Sequence, residues 1–213
     1  ERRAGVAEQI KAKREEAKAL IEKKRGDFKA AVEAKRAELK VRVQAKKEEL
    51  KERLAKIKDE RKKQIVERVD QRLDALNENR MTHFSNVLER LEKILDNIDS
   101  RAAKAEANGR DVSAVKAAHD AAKNAINNVR AMIEAQSGKT YVIAVSNETG
   151  LRQDVGKARQ ALHADLTKVQ QAVQAARDAV HKAAVALAQI PRVDELEVEE
   201  TAAPEPATTT QSQ

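Results

Sequence analysis

Residues 6–71 read VAEQIKAKREE AKALIEKKRGD FKAAVEAKRAE LKVRVQAKKEE LKERLAKIKDE RKKQIVERVDQ when they are written in rows of eleven. The first and fifth positions of the early rows are apolar, and the eighth and ninth are mostly Lys or Arg. Eleven residues complete three turns at about 3.67 residues per turn, so the apolar pairs form one nearly straight stripe. Ile65, Leu76, Val87 and Ile98 continue the spacing. The pattern therefore predicts one continuous helix over residues 1–107, about 160 Å long.

The composition is that of a helical rod rather than of a globular enzyme. The 213 residues are 36% charged and 1% aromatic, with six Gly, three Pro, no Cys and no Trp. Long helices and coiled coils have this composition, and large buried pockets are hard to build without aromatic side chains. The absence of cysteine excludes disulfides and thiolate metal sites. No apolar run in the sequence approaches the roughly 18 residues needed to span a bilayer.

The net charge of +7 is concentrated near the amino end. Residues 1–64 carry 23 Lys and Arg against 13 Asp and Glu, whereas the remainder carries 19 against 22. On a helical wheel the basic positions border the apolar stripe. Their long stems can cover apolar surface while the charged heads reach water or an anionic partner. Residues 1–79 are therefore predicted to form an extended, basic, amphipathic arm.

A heptad spacing replaces the eleven-residue spacing near residue 80 and predicts an antiparallel three-helix bundle over residues 80–190. The predicted helices span 80–107, 112–137 and 150–190, and they stop at Asn108-Gly109, Ser137-Gly138 and Ile190-Pro191. The fold class is therefore all-α. The predicted seam residues are Phe84, Leu88, Leu91, Leu95, Ile98, Ala102 and Ala105 in the first helix, Val112, Val115, His119, Ala122, Ile126, Val129 and Ile133 in the second, and Val155, Ala158, Leu162, Val169, Val173, Ala176, Val180, Ala183 and Leu187 in the third.

The third predicted helix is longer than the second, so part of it needs another surface to pack on. It either overhangs the bundle or starts lower, beside Val69, Leu73 and Leu76, and the second arrangement is preferred because it buries both leftover stripes. The stretch 139–149 is β-like but too short for a sheet. Its apolar part, 141–145, is predicted to form a lid over the open end of the bundle, with an exposed strand that pairs with a partner's edge as the alternative. Residues 191–213 are rich in Glu, Thr, Ala and Pro, which predicts a disordered tail.

Residues that could carry out chemistry are sparse. Of the four histidines, His163 and His181 lie five turns apart on one helix, about 27 Å, which is too far to share a metal ion. No His-x-x-x-His pair or clustered carboxylates accompany them, and His83 is the remaining histidine. His119 occupies a seam position and could approach the third helix near His163. A packed histidine is the preferred interpretation of His119 over a metal or pH-sensing site. No Ser lies in a Gly-rich elbow and no Gly-rich phosphate loop occurs. We therefore predict no enzyme activity, no cofactor, no metal and no small-molecule substrate.

A thin rod cannot cover its own stripe, so the stripe is expected to meet a second surface. The preferred surface is another helix, from a second copy or a partner protein, because each buried Leu or Ile contributes about 1.5–3 kcal/mol. An anionic membrane surface is the alternative. Nucleic-acid binding is the least favoured, because acidic residues are interspersed and aromatic platforms are absent. A solvated helix with no partner is a further interpretation. The predicted contact stripe is Ile10, Ile21, Phe28, Val32, Leu39, Val43, Leu50 and Leu54.

Five segments between residues 55 and 195 resemble one group of proteins: 60–68 (ERKKQIVER), 108–112 (NGRDV), 138–141 (GKTY), 158–163 (ARQALH) and 188–191 (AQIP). The group consists of uncharacterised, predicted-secreted helical proteins of uncultivated ultrasmall bacteria of the candidate phyla radiation. The resemblance implies a signal peptide removed ahead of Glu1 and a secreted or cell-envelope location. It implies no catalytic residue. Together with the stripe it predicts a non-enzymatic structural or interaction protein.

Overall fold

The computed structural model describes residues 2–191, and the burial of side chains at position 12, positions 15–16 and positions 18–191. Four helices follow one another: α1 (Arg2–Leu54), α2 (Glu60–Ala107), α3 (Ser113–Ser137) and α4 (Leu151–Ala188). No strand occurs in this part of the chain. None of its helices is both long enough and apolar enough to cross a membrane. The all-α prediction is confirmed.

Helices α2, α3 and α4 form the predicted antiparallel bundle. Glu106 at the end of α2 binds Lys116 near the start of α3, and Asn77 in the first half of α2 binds the backbone at the end of α3. Helices α2 and α3 therefore run in opposite directions. The turn between them closes as predicted, with Gly109 at a φ of 75°. Every predicted seam residue is buried except His119 and Val155, which are half-buried.

The prediction of one helix over residues 1–107 is wrong. Helix α1 ends at Leu54 and α2 begins at Glu60. The carboxylate of Asp59 caps α2 by accepting hydrogen bonds from the backbone N–H groups of residues 61 and 62, at 2.9 and 3.2 Å. Ile57, within the turn, is 4% exposed and packs with Tyr141 and Ile143. The chain therefore reverses at residues 55–59, because the turn is capped at one end and anchored in an apolar cluster.

Helix α1 folds back along α2 and also packs on α3. Arg25 binds Glu92, Arg36 binds Thr82, and residue 46 binds residue 74. Residue numbers thus fall along one helix as they rise along the other, as in an antiparallel hairpin. Residues 1–79 are therefore not an extended arm. They comprise α1, the turn and the first part of α2.

We call the end of the molecule that carries the 55–59 turn the lower end. The packing at this end confirms the preferred position of the third bundle helix. Leu73 of α2 packs with Leu151 and Leu162 of α4, so α4 starts well below the end of α3. The segment 139–149 bridges this gap. Its residues Tyr141 and Ile143 are buried at 6% and 0% exposure, so it packs as an apolar cover. The cover lies along the side of α2 rather than over the end of the bundle, and residues 192–213, predicted to be a disordered tail, lie outside the described residues.

Two glycines of the α4 region give opposite stability predictions. A Cβ added at Gly156, inside α4, meets no atom within 4 Å, so Gly156→Ala should raise the free energy of unfolding by about 0.5–1 kcal/mol through helix propensity. A Cβ at Gly150 would lie 2.6 Å from Ser146 Oγ, so Gly150→Ala should lower it by about 1 kcal/mol or more. Urea denaturation followed by circular dichroism measures both changes. Destabilisation by Gly156→Ala would contradict the open surroundings of that site.

Candidate functional site: the packing face of α1

The predicted contact stripe lies against the chain's own helices. Its described members are the buried Val32, Leu50 and Leu54 and the half-buried Ile21, Phe28, Leu39 and Val43. The eighth member, Ile10, lies outside the residues whose side chains are described. Val32 joins the core of the bundle, and Leu50 and Leu54 join the lower cluster around Leu73. The expectation that the stripe cannot be covered from within is therefore wrong, because the reversal at 55–59 brings α2 and α3 over it.

An upper ion cluster fixes α1 to both neighbouring helices. Arg25 donates from Nε to Glu92 Oε2 at 2.9 Å and from Nη2 to Asp96 Oδ2 at 2.6 Å. Glu92 also accepts a hydrogen bond from Arg130 of α3, whose guanidinium lies 5.8 Å from the centre of the Phe28 ring. The Glu92 side chain is 8% exposed. A carboxylate so buried is costly unless it is paired, so the charge of Glu92 favours keeping α1 in place.

A lower ion cluster lies nearer the turn and is more deeply buried. Lys46 Nζ lies 2.9 Å from Asp70 Oδ1 and donates to Asp74 Oδ1 at 3.2 Å. The side chains of Lys46 and Asp70 are 5% and 1% exposed. Burial raises the pKa of Asp70 above its ordinary value, and the neighbouring Lys46 opposes this shift. Because the ammonium and the carboxylate are both removed from water, removing Lys46 would leave the Asp70 carboxylate buried without its counter-charge.

The basic residues of these contacts recur with the repeat. Arg25 and Arg36 occupy the ninth positions of successive eleven-residue rows, and Lys46 occupies the eighth position of the next row. Arg36 Nη2 donates to Thr82 Oγ1 at 2.8 Å. The basic residues beside the stripe were expected to reach water or an anionic partner. For Arg25 and Lys46 the anionic partner is the acidic side of α2.

Between the ion clusters α1 packs loosely. An open groove of about 350 Å³ separates α1 from α2 and is lined by Leu39 and Val43 on one side and Met81 on the other. A second groove, of about 140 Å³, lies higher up beside Phe28 and Val32. A well-packed interior leaves few voids larger than a water molecule. The contact between α1 and α2 is therefore incomplete, unlike the continuous seam within the bundle.

A buried polar network holds the start of the extended segment. Gln136 Nε2 donates to Asn77 Oδ1 at 2.9 Å and to the Tyr141 hydroxyl at 2.5 Å. The Tyr141 hydroxyl in turn donates to Asp165 Oδ2 at 3.0 Å, which also accepts from Lys139 Nζ at 2.9 Å. Burial, with help from the Asp165 charge, raises the pKa of Tyr141 to about 12. The network joins α2, α3 and α4 where α3 ends, so its role is to position the segment.

The histidines are not brought together. His119 lines a groove with Leu20 and Asp99, and its Nδ1 lies 3.5 Å from Asp120 Oδ1. His163 lines a different groove, between α2 and α4, beside Leu73. The two histidines therefore line separate grooves, and His119 is half-buried beside the seam. Among the described residues, no group of three or more His, Asp and Glu side chains is placed to hold a metal ion.

Sequence reasoning missed the acidic half of the α1 contact. Glu92, Asp96, Asp70 and Asp74 were not singled out, although they face α1 across the hairpin. They could have been found by comparing the sequence before the turn with the sequence after it, read in the opposite direction. The midpoints of the contacting pairs fall between residues 58 and 61, at the turn. Basic residues before this point and acidic residues after it lie at matching separations.

No protein-family model matches the sequence, and neither a curated protein nor a solved structure is significantly similar to it. What the protein does therefore has to be inferred from the packing of α1 on the bundle.

Loss of Lys46 should be much more harmful than loss of an exposed lysine. Lys46→Met leaves Asp70 buried without its counter-charge and should lower the free energy of unfolding by about 3–5 kcal/mol. The double variant Lys46→Met with Asp70→Leu should recover most of that loss, because the most deeply buried charge is then removed and the more exposed Asp74 is the carboxylate left without Lys46. Lys51→Met, which removes an exposed pair with Glu48, is the matched control and should change stability by less than about 0.5 kcal/mol. Urea denaturation measures all three, and equal effects of the two lysine variants would contradict the buried cluster.

Tyr141 gives a direct spectroscopic test of the polar network, because the chain contains one Tyr and no Trp. Its phenol should titrate at a pKa of about 12 in the folded protein, against an ordinary value of about 10. The folded pKa is the higher one, so the stability contributed by the neutral phenol is complete below about pH 10. It is lost as the pH rises from about 10 to about 12.

Asp165→Asn should lower the pKa of Tyr141 towards its ordinary value, because the variant keeps an acceptor but removes the negative charge. Ultraviolet absorbance of the phenolate measures both values. Asp178→Asn, on the exposed side of α4, is the control and should leave the titration unchanged. A pKa near 10 that Asp165→Asn does not change would contradict the network.

Proposed function

We propose that this protein is a non-enzymatic structural or interaction protein in which α1 is the element that packs on another helix. The single observation that supports this most strongly is the way α1 occupies the surface between α2 and α3. It lies there as a ligand helix lies in a groove, with apolar side chains along one face and charged anchors beside them. A five-residue turn, 55–59, connects it to the rest of the chain.

The bundle does not depend on α1 for most of its core. Among the described residues, Val32 is the one fully buried side chain that α1 contributes to the upper core cluster, and the other members come from α2, α3 and α4 and the loop ends. Leu50 and Leu54 anchor α1 near the turn. Release of the upper part of α1 therefore leaves a bundle with its own seam intact, while it uncovers the stripe and the acidic groove together.

Helix pairing has more support than a membrane surface. The stripe that would enter the lipid faces α2 and α3, and Arg25 and Lys46 beside it are neutralised by carboxylates of the same chain. Nucleic-acid binding loses support for the same reason. Export is part of the proposal and rests on the resemblance to predicted-secreted proteins. A tagged chain recovered from the culture medium or the envelope fraction would support it, and recovery from the cytoplasm alone would contradict it.

Hydrogen exchange measured by mass spectrometry on the full chain tests whether α1 opens by itself. The amides of residues 12–45 should exchange at least about a hundredfold faster than the seam amides of α2–α4, because α1 has few fully buried contacts. Arg25→Gln should speed exchange in α1 further by about tenfold without changing α4. Arg159→Gln, at an exposed position of α4, is the matched control. If α1 exchanges only together with the bundle, it is a fixed structural helix and the proposal fails.

A further inference from the structure

We propose that α1 exchanges between copies of this chain, so that the groove between α2 and α3 of one molecule takes α1 of another. The turn at 55–59 opens to allow this exchange. The inference rests on the proposed function and names the partner helix, which is α1 of a second copy.

Apart from the Asp59 cap, the turn is bent by packing rather than by its own sequence. Ala55-Lys56-Ile57-Lys58-Asp59 contains neither Gly nor Pro, and Ala and Lys are good helix formers. The bend depends on contacts with distant residues. Ile57 is buried against the extended segment, and Glu148 accepts hydrogen bonds from the Lys58 backbone N–H at 3.2 Å and from Lys62 Nζ at 3.0 Å. Once these contacts are released, the segment can join α1 and α2 into one helix.

The eleven-residue spacing continues through the turn, and the first two residues on it after the turn are left exposed by the hairpin. Leu54, Ile65, Leu76 and Val87 follow one another at equal intervals. In the hairpin Ile65 and Leu76 are 56% and 45% exposed, since α2 turns a different side towards α1. Only in a continuous helix do these residues extend the stripe of α1. The sequence therefore matches the opened form as well as the folded-back form.

The groove is complementary in charge to α1, whether α1 belongs to the same chain or to a second copy. Between residues 12 and 54 α1 carries 15 Lys and Arg against nine Asp and Glu. The side of α2 that faces it presents Glu92 and Asp96 above and Asp70 and Asp74 below. When α1 of a second copy enters the groove, Arg25 and Lys46 meet the same carboxylates. Exchange therefore preserves the apolar and ionic contacts and alters only the turn, which is the usual basis of domain swapping.

Chemical cross-linking between two marked copies tests the exchange. Lys29 Nζ and Glu89 Oε2 face each other at 3.8 Å across the α1–α2 contact, and the chain has no cysteine of its own. Full-length Lys29→Cys and Glu89→Cys proteins are mixed, unfolded together, refolded at high concentration and treated with a short bismaleimide. Exchange should give a product that joins the two chains, because residue 29 of one copy then lies beside residue 89 of the other.

Lys47→Cys mixed with Glu89→Cys is the matched control, since residue 47 lies 18 residues away on the same helix, about 27 Å, and no shift by whole repeats brings it to the position of residue 29. The exchanged pair should give several times the product of this control, because that distance exceeds the reach of the linker. Adding Lys56→Gly and Lys58→Gly to both copies keeps the turn but disfavours a continuous helix, and should lower the yield about tenfold or more. The double variant Lys29→Cys with Glu89→Cys in one chain should still cross-link internally, which verifies the folded hairpin.

A product no more abundant than the control, or unaffected by the two glycines, would overturn the exchange. That failure is distinguishable from failure of the proposed function. If α1 opens in hydrogen exchange but does not cross-link between copies, its partner is a different helix. If α1 does not open at all, both proposals fall.

Discussion

Two buried carboxylates, Glu92 and Asp70, impose the strongest constraint on how this chain folds. Each lies in a position that is costly for a lone charge. Asp70 obtains its counter-charge from Lys46 of α1, and Glu92 obtains its counter-charge from Arg25 of α1 together with Arg130 of α3. The hairpin is therefore more than a way to cover apolar side chains. Without α1 the bundle would keep most of its apolar seam, but Asp70 would lose Lys46, and Glu92 would keep only Arg130 of its two arginine partners. The position of α1 is set by charge as much as by apolar contact.

The two ends of the bundle are closed by different means. At the upper end α3 and α4 both reach the level of the last turns of α2, and the core is a seam of aliphatic side chains. At the lower end α3 has already stopped at Ser137, and an extended segment takes its place. That segment cannot supply helical hydrogen bonds, so polar side chains, Asn77, Gln136 and Tyr141, hold it against its neighbours. Leu50 and Leu54 of α1 then complete the lower cluster.

Much of the bundle could be predicted from the sequence, because its information is local and periodic. Heptads from Phe84 to Ala105 identified the buried side of α2, and Asn108-Gly109 identified its end. The reversal at 55–59 could not be found in the same way, because no Gly or Pro marks it and the repeat passes through without a change of phase. Its visible signal was Asp59, a residue suited to capping a helix start. A cap signal inside a helix-forming stretch is weak on its own, since the contacts that bend the chain come from residues 141, 143 and 148.

Only the α1 half of the candidate site could be predicted from the sequence, for a related reason. The apolar stripe is a property of α1 alone, and seven of its eight predicted residues have described side chains that face inward. The acids that hold it belong to another helix, and recognising them requires knowing that the chain doubles back. A pattern within one helix reports which side will be covered. It does not report what covers it.

The near-identity of the repeats means that charge and apolarity do not determine the register of α1 by themselves. A slide of α1 by one row would place Arg14 at the position of Arg25, Lys35 at that of Lys46, and Leu39 at that of Leu50. Most positions of the contact would receive a side chain of the same kind, with Ala17 in place of Phe28 as the main difference, and α1 would lie about 16 Å further along the axis. In the hairpin the five-residue turn allows α1 to bind in a single register. When α1 comes from a second copy, this turn does not restrict it, so the groove can bind it in several similar registers. The length over which α1 and α2 overlap can then change in steps of one repeat.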